Sequence, residues 1–277
     1  MNQQNEKLRL LQEKELELTK EVLRICRENN LQCCAAYGTL LGAVRHGGFI
    51  PWDDDVDLWM PRKDYEAFLK IAPGQLQGGY QVQTYADCEN DEVYTARVTD
   101  PATRVRICTG KEPVEQSIWV DLWAMDGVPE KKLPFLVHKY KLLFYRMLVQ
   151  MSVYRRLIHQ YRKNRPFHEK AIMALCEHVD FSKIIRTKKA KARVERQIQK
   201  CGIEGAQRIF SFWAEEKYAG LMPKAWFVQT VELPFEDTVI PAPADYDRIL
   251  GHLYGDYMRL PPEEDRDIQH KMEIVEI

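Results

Sequence analysis

Between Glu6 and Asn29, the apolar residues Leu8, Leu11, Leu18, Val22 and Ile25 recur at steps of three, four and seven, the spacing of an amphipathic helix. The apolar run Gln32 to Tyr37 reads as a short strand, and Gly38-Thr39 breaks it before a second helical segment, Leu40 to Arg45. After the loop HGGFIPW, the segment DDDVDLWM alternates carboxylate with apolar residue, as a half-buried strand does. Pro61 stands where a helix accepts proline at its start, and Tyr65, Phe68 and Leu69 supply the inner face of the helix that follows. Further strands are expected at Gly79 to Thr84, Val93 to Val98, Arg104 to Cys108 and Ser117 to Trp123. From Lys131 to Trp213 strand patterns vanish and Lys/Arg-rich helical sequence takes over. Beyond it, PFEDTVIPAPADYDRILGHLYGDYM holds a strand and loop, then a helix with Tyr246, Ile249, Leu250 and Leu253 on one face and Gly255 at its end; LPPEEDRDIQH has loop character.

Helices and strands mixed without a regular βαβ repeat predict an α+β fold: a mixed β-sheet core, flanking helices and a basic helical insertion. Three units are expected, a core over 1–130 with its amino-terminal helix, the insertion over 131–213, and a segment over 214–277 that completes the site. With 45% hydrophobic residues in 277, the chain has ample material for a buried core.

Charge changes the picture. The net charge of -1 hides a division: residues 131–200 hold 19 Lys+Arg against four acids, +15, which leaves -16 for the rest. That stretch is a candidate for peripheral contact with a membrane or an anionic acceptor, against the plainer reading of a solvated helical face. Its most apolar segment, Leu142 to Tyr154, is interrupted by Arg146 and falls short of the ~20 residues that cross a bilayer. Seven cysteines without a C-x-x-C pair, and no apolar run in MNQQNEKLRLLQEKE, lead to the expectation of free thiols and a cytoplasmic address, peripheral at the inner membrane face. Cys33 and Cys34 read as core residues, and Cys176 with His178 lacks the second pair of a zinc site.

The chemistry concentrates at Asp53, Asp54, Asp55 and Asp57. Four acids within five positions repel one another and are poor strand formers, so stability alone would seldom select them. On a strand, Asp53, Asp55 and Asp57 would share a face and make a hard-oxygen site suited to Mg²⁺ or Mn²⁺. Asp121, flanked by Trp119, Val120, Leu122 and Trp123, would be costly to bury alone, so a neighbouring strand is expected to carry it beside the D-x-D. Gly38 permits close backbone approach, and the start of the helix after it can hold a phosphate.

YGTLLGAVRHGGFIPWDDDVDLWM closely resembles the signature of the LicD family, which contains bacterial phosphocholine transferases and relatives of fukutin-related protein. The elements Tyr37-Gly38-Thr39, Asp55-Val56-Asp57 and Val120-Asp121-Leu122 are similar to those of the wider nucleotidyltransferase-fold group, and the likeness continues through ARVTDPATRV, WVDLWAMDGVP and the segment from PFEDTVIP to DIQH. Thr39 stands where many such enzymes have Ser or Gly, and it keeps the hydroxyl.

The resemblance implies a nucleotidyltransferase-like core and transfer of phosphocholine or a polyol phosphate, such as ribitol phosphate, from a CDP-alcohol donor to a hydroxyl of a cell-surface glycan or teichoic acid-like acceptor, releasing CMP. It implies a metal held by Asp55, Asp57 and Asp121, with Asp53 as a further ligand or the general base, and substrate contacts from Gly38, Thr39, Arg45, Arg97, Arg266 and His270. Arg104 is a further candidate diphosphate clamp or else an ordinary surface charge; Trp52 and Tyr254 either stack on cytosine or pack in the core. Nucleic acid is not an expected partner. Two other readings stay open: a nucleotidyltransferase acting at the α-phosphate of an NTP, and a non-catalytic module that binds polyanions or membranes.

Overall fold

The computed structural model describes residues 3–87, 93–107, 113–157, 167–214, 217–266 and 272–277. The core is a mixed sheet with helices around it, the expected α+β class. Its strands are β1 (Cys34–Ala35), β2 (Asp57–Pro61), β3 (Gln81–Gln83), β4 (Ala96–Ile107), β5 (Val114–Gly127), β6 (Arg208–Phe210), β7 (Met222–Pro223) and, after a separate hairpin of β8 (Thr230–Phe235) and β9 (Thr238–Pro243), β10 (Met272–Glu276). The order is β1-β2-β5-β4-β10; β3 also pairs with β4, β6 with the end of β5, and β7 with β6. Only β2 and β5 run parallel among these described pairs. The helices are α1 (Gln3–Glu28), α2 (Tyr37–His46), α3 (Arg62–Gln75), α4 (Lys132–Leu157), α5 (Phe167–His178), α6 (Thr187–Ile198) and α7 (Tyr246–Tyr254).

Several elements depart from the pattern of the sequence. The expected strand over DDDVDLWM begins only at Asp57; Asp53, Asp54 and Asp55 lie in the loop before it. Crowded carboxylates are poor partners in a ladder, and the Asp53 amide closes a turn onto the Ile50 carbonyl at 2.9 Å instead. The run expected as strand to Tyr37 keeps only Cys34–Ala35, and Gly38-Thr39 falls inside the first turn of α2 rather than ahead of it. The two strands expected at 93–98 and 104–108 are one, β4, because its irregularity between Asp100 and Val105 satisfies itself: Asp100 Oδ1 accepts from the Ala102 amide and Thr103 Oγ1 donates to the Asp100 carbonyl. The stretch expected to be free of strands contains β6, whose Phe210 pairs with Asp126. In the last segment the single expected strand is a hairpin, and β10 forms where no strand was expected. The helix ending at Gly255 is as expected, Gly255 having φ 69°.

Two apolar clusters result. The larger joins α1, α2, α3 and the sheet, with Leu18, Val22, Leu40, Leu58, Phe68 and Val120 fully buried. The smaller lies under the basic helices and gathers Leu142 and Val149 of α4, Val194 and Ile198 of α6, and Phe210 and Phe212. Between them sits a buried ionic bridge. Arg62 at the start of α3 binds Asp126 through two bonds of 2.8 and 2.6 Å and approaches Glu195 of α6 at 3.2 Å. Nearby, the buried Lys191 donates to the Val93 carbonyl at 2.8 Å and lies 4.5 Å from the Tyr94 ring centroid.

Substituting Arg62→Met leaves two acids buried without their cation, so it should cost about 3–5 kcal/mol in urea unfolding, whereas exposed Arg104→Ala should change stability by less than about 1 kcal/mol.

Candidate active site

The site forms where the Asp53–Asp55 loop meets the start of β2. Across the sheet one register level carries Asp57 on β2, Asp121 on β5 and Arg97 on β4, each a paired neighbour of the next. The expected placement of Asp121 beside the D-x-D is therefore present. Its carboxylate is not isolated: Arg97 Nε donates to Oδ1 and the Trp119 indole to Oδ2, both at 2.8 Å. Asp57 Oδ1 accepts from the Trp123 indole at 2.6 Å. Trp119, Asp121 and Trp123 alternate along β5 and so project from one face of the strand. Tyr37 packs edge-on against Trp123, with ring centroids 5.9 Å apart.

Asp53, Asp54 and Asp55 are the acids, among the described residues, whose ligand oxygens converge, all within 4.8 Å of one another. The expected trio of Asp55, Asp57 and Asp121 does not reach that closeness, because Asp57 and Asp121 are drawn to their indoles and Arg97. Asp54, outside the expected set, is fully buried, while Asp55 and Asp57 are half-buried. Burial and the charges of Asp55 and Asp121 hold the Asp57 carboxyl well above the ordinary carboxylate range.

Three elements hold the loop in place. The first is α2. At Gly38 a Cβ would stand 2.7 Å from Asp53 Oδ2, so glycine there admits the carboxylate against the positive end of the helix. Thr39, buried, accepts the Asp57 amide on its hydroxyl at 2.9 Å, while the Ala36 amide donates to the Asp57 carbonyl at 3.0 Å. Thr39 thus positions Asp57. The second is α1, where Gln12 Nε2 donates to the Asp53 carbonyl at 2.9 Å and the Ile50 carbonyl at 3.4 Å. The third is the tip of the β8–β9 hairpin: Glu236 accepts the Phe49 amide at 3.0 Å, donates its own amide to the Gly47 carbonyl at 2.9 Å, and pairs with Arg9 of α1 at 2.7 Å.

Glu15 of α1 is the residue that sequence reasoning missed. Its side chain is buried, Oε2 has no hydrogen-bond partner among the described residues, and burial followed by the charges of Asp55, Asp54, Asp53 and Asp121 pushes its carboxyl well above the usual 4.5. A signal was present. Gln12, Glu15 and Thr19 fall in the middle of the same helical face as Leu8, Leu11 and Val22, polar residues where the apolar stripe should be continuous.

The cations divide into two groups. Arg97 is bound to Asp121 and to Gln116 Oε1 and lies 4.3 Å from the Trp119 ring centroid, so it serves the acids rather than standing open as a diphosphate clamp. Arg45 and Arg266 come together at the other end of α2. Arg45 donates to the Tyr257 carbonyl at 2.8 Å; burial and then the neighbouring Arg266 lower its affinity for a proton. Arg266 lies 5.4 Å from the ring centroid of Trp52, the residue immediately before Asp53. His270 lies outside the described residues. Arg104 pairs with Glu276 on the surface, and Tyr254 is exposed rather than in the core.

All-oxygen donors in a buried acidic cluster fit a hard divalent cation such as Mg²⁺ or Mn²⁺: the charge already strong enough to raise Glu15 and Asp57 is what such an ion would offset.

A mixed sheet that pairs two acids across adjacent parallel strands, Asp57 opening β2 and Asp121 within β5, beside a glycine at the first turn of a helix, describes a nucleotidyltransferase-type site. The family model "LicD/FKTN/FKRP, nucleotidyltransferase domain" matches residues 30–174, and the chain belongs to this family. It is 29% identical over 253 residues to the "Lipopolysaccharide cholinephosphotransferase LicD" of Haemophilus influenzae, covering 90% of each chain. Shorter matches join it to uncharacterized proteins of Rickettsia typhi, 40% identical over 24% of this chain and 22% of the relative, and Rickettsia prowazekii, 41% identical over 24% and 25%.

For Glu15, the raised folded pKa means that above pH 4.5 the native protein keeps a proton the unfolded chain has released, so rising pH draws the equilibrium toward unfolding. In divalent-free buffer Glu15→Gln should therefore be more stable than the parent at pH 7.5, with the advantage shrinking toward pH 4. Unfolding curves at several pH values check this; an advantage constant with pH would contradict it.

Proposed function

We propose that the protein transfers phosphocholine, or a polyol phosphate, from a CDP-linked alcohol to a hydroxyl of a cell-surface glycan and releases CMP. The observation that carries the reading is the likeness, over nine-tenths of both chains, to a protein named for cholinephosphate transfer to lipopolysaccharide. The convergent acids Asp53, Asp54 and Asp55 beside Asp57 supply chemistry that suits it.

Asp53, Asp54 and Asp55 would hold Mg²⁺ or Mn²⁺, with Asp57 and Asp121 beside them. When bound, the ion neutralises diphosphate charge and that of the departing phosphate. The residues of the chain do the rest. Arg45 and Arg266, adjoining the loop through Trp52, bind the donor diphosphate, for which two guanidinium groups are a matching partner. The oxygen of the acceptor hydroxyl attacks the phosphorus that bears the alcohol. The new P–O bond forms as the bond to the bridging oxygen breaks, CMP leaves with that electron pair, and the hydroxyl proton passes to a carboxylate of the cluster. Arg97, Trp119 and Trp123 keep Asp121 and Asp57 oriented throughout.

Purified protein with Mg²⁺ and a panel of CDP-choline, CDP-ribitol and CDP-glycerol, each with candidate acceptors, should release CMP from one donor. Asp55→Asn and Asp57→Asn should each lower kcat by about 10³-fold, equivalent to ~4 kcal/mol of transition-state stabilisation. Pyrophosphate released from CTP, with no CMP from any CDP-alcohol, would overturn the proposal in favour of nucleotidyl transfer.

A further inference from the structure

Helix α4 is apolar on two opposite sides. Its inner side, with His138, Leu142, Val149 and Val153 buried, packs in the smaller core. Its outer side carries Leu133, Val137, Tyr140 and Phe144 at steps of four, three and four, a single helical face running about 16 Å. These side chains are 72, 47, 65 and 52% exposed. Scattered apolar residues on a surface are ordinary, but a stripe where a soluble helix normally turns its polar face marks a contact. Lys132 and Lys141, both exposed, flank it, and Lys131 precedes it. The turn that follows α5 packs on α4 and carries exposed Lys183 and Ile184, the latter 69% exposed.

The occupant follows from charge. The stripe lies in the 131–200 stretch whose excess of bases is +15. A second copy docked through the same face would bring two such stretches together, whereas a negatively charged bilayer complements both the cations and the apolar stripe. We propose that the outer face of α4 seats on an anionic membrane surface, with Tyr140 and Phe144 entering the boundary between headgroups and acyl chains and Lys132 and Lys141 meeting lipid phosphates. Among the described residues no helix is long and apolar enough to cross a membrane, so the contact is peripheral. Such docking would bring the site to a lipid-anchored glycan acceptor; that consequence rests on the proposed function, and the docking itself does not.

Flotation of the full chain with vesicles of phosphatidylethanolamine and phosphatidylglycerol, against vesicles of phosphatidylcholine alone, tests it. The protein should float with the anionic vesicles only and less so as salt rises. Tyr140→Ser with Phe144→Ser, and separately Lys132→Glu with Lys141→Glu, should each weaken binding by at least about tenfold while leaving CMP release on a soluble acceptor unchanged. No recruitment to anionic vesicles, or recruitment indifferent to both double variants, would overturn the proposal. So would a dimer, seen by light scattering, that Tyr140→Ser with Phe144→Ser abolishes. Flotation that behaves as expected in a protein that never releases CMP would leave the docking standing and remove the assigned reaction instead.

Discussion

Repulsion between buried carboxylates is the constraint around which this molecule is organised. Two charges less than 5 Å apart in a partly desolvated site repel by about 3 kcal/mol or more at an effective dielectric constant of ~20. Asp53, Asp54 and Asp55 meet at that range, with Asp57, Asp121 and Glu15 close by. One hydrogen bond contributes about 1 kcal/mol net, so no single contact could hold such a group together. Its support is instead spread over α1, the first turn of α2, two indole donors, Arg97 and the hairpin tip. Where that support runs short, at Glu15 and Asp57, the carboxyl holds its proton more tightly than an ordinary one.

The same arithmetic explains the place of the arginines. Arg97 lies inside the sheet's acidic row and is consumed by it, while Arg45 and Arg266 sit at the far end of α2, where two like charges near each other would be unfavourable without an anion to share. Positive charge is held back from the acid cluster on one side and gathered next to it on the other. A doubly charged phosphate group and a cation are complementary to that division. Further away, Arg62 with Asp126 and Glu195 uses the opposite device, a compensated ionic knot, to fasten the basic helices to the sheet.

Much of the fold was legible because its elements announce themselves by period: α1 by its Leu and Val spacing, α7 by its apolar stripe and the glycine stop at Gly255, β5 by its apolar run around Asp121. The adjacency of Asp57 and Asp121 was legible as well, because a buried acid demands a partner. Alternation misled at Asp53 to Asp55, where charge density overrode the strand period and turned the segment into a loop. Short strands such as β6 and β10 exist only by pairing with β5 and β4, which a local pattern cannot reveal. Glu15 was hidden for a related reason: a charged residue on a helix is read as solvent-facing unless its neighbours on the helical wheel are consulted. Arg97 and Thr39 were found as site residues, but their partners turned out to be protein groups.

The bond from Glu236 to the Phe49 amide spans 187 residues of chain. During synthesis the acidic loop therefore emerges long before the hairpin that fastens it, and in the interval the helices and the sheet restrain it without that hairpin. Loop closure over such a separation is slow relative to local helix formation. The competent site is thus a late product of folding, and a ribosome-bound chain that has not yet exposed β8 and β9 carries the carboxylates of the enzyme without their final arrangement.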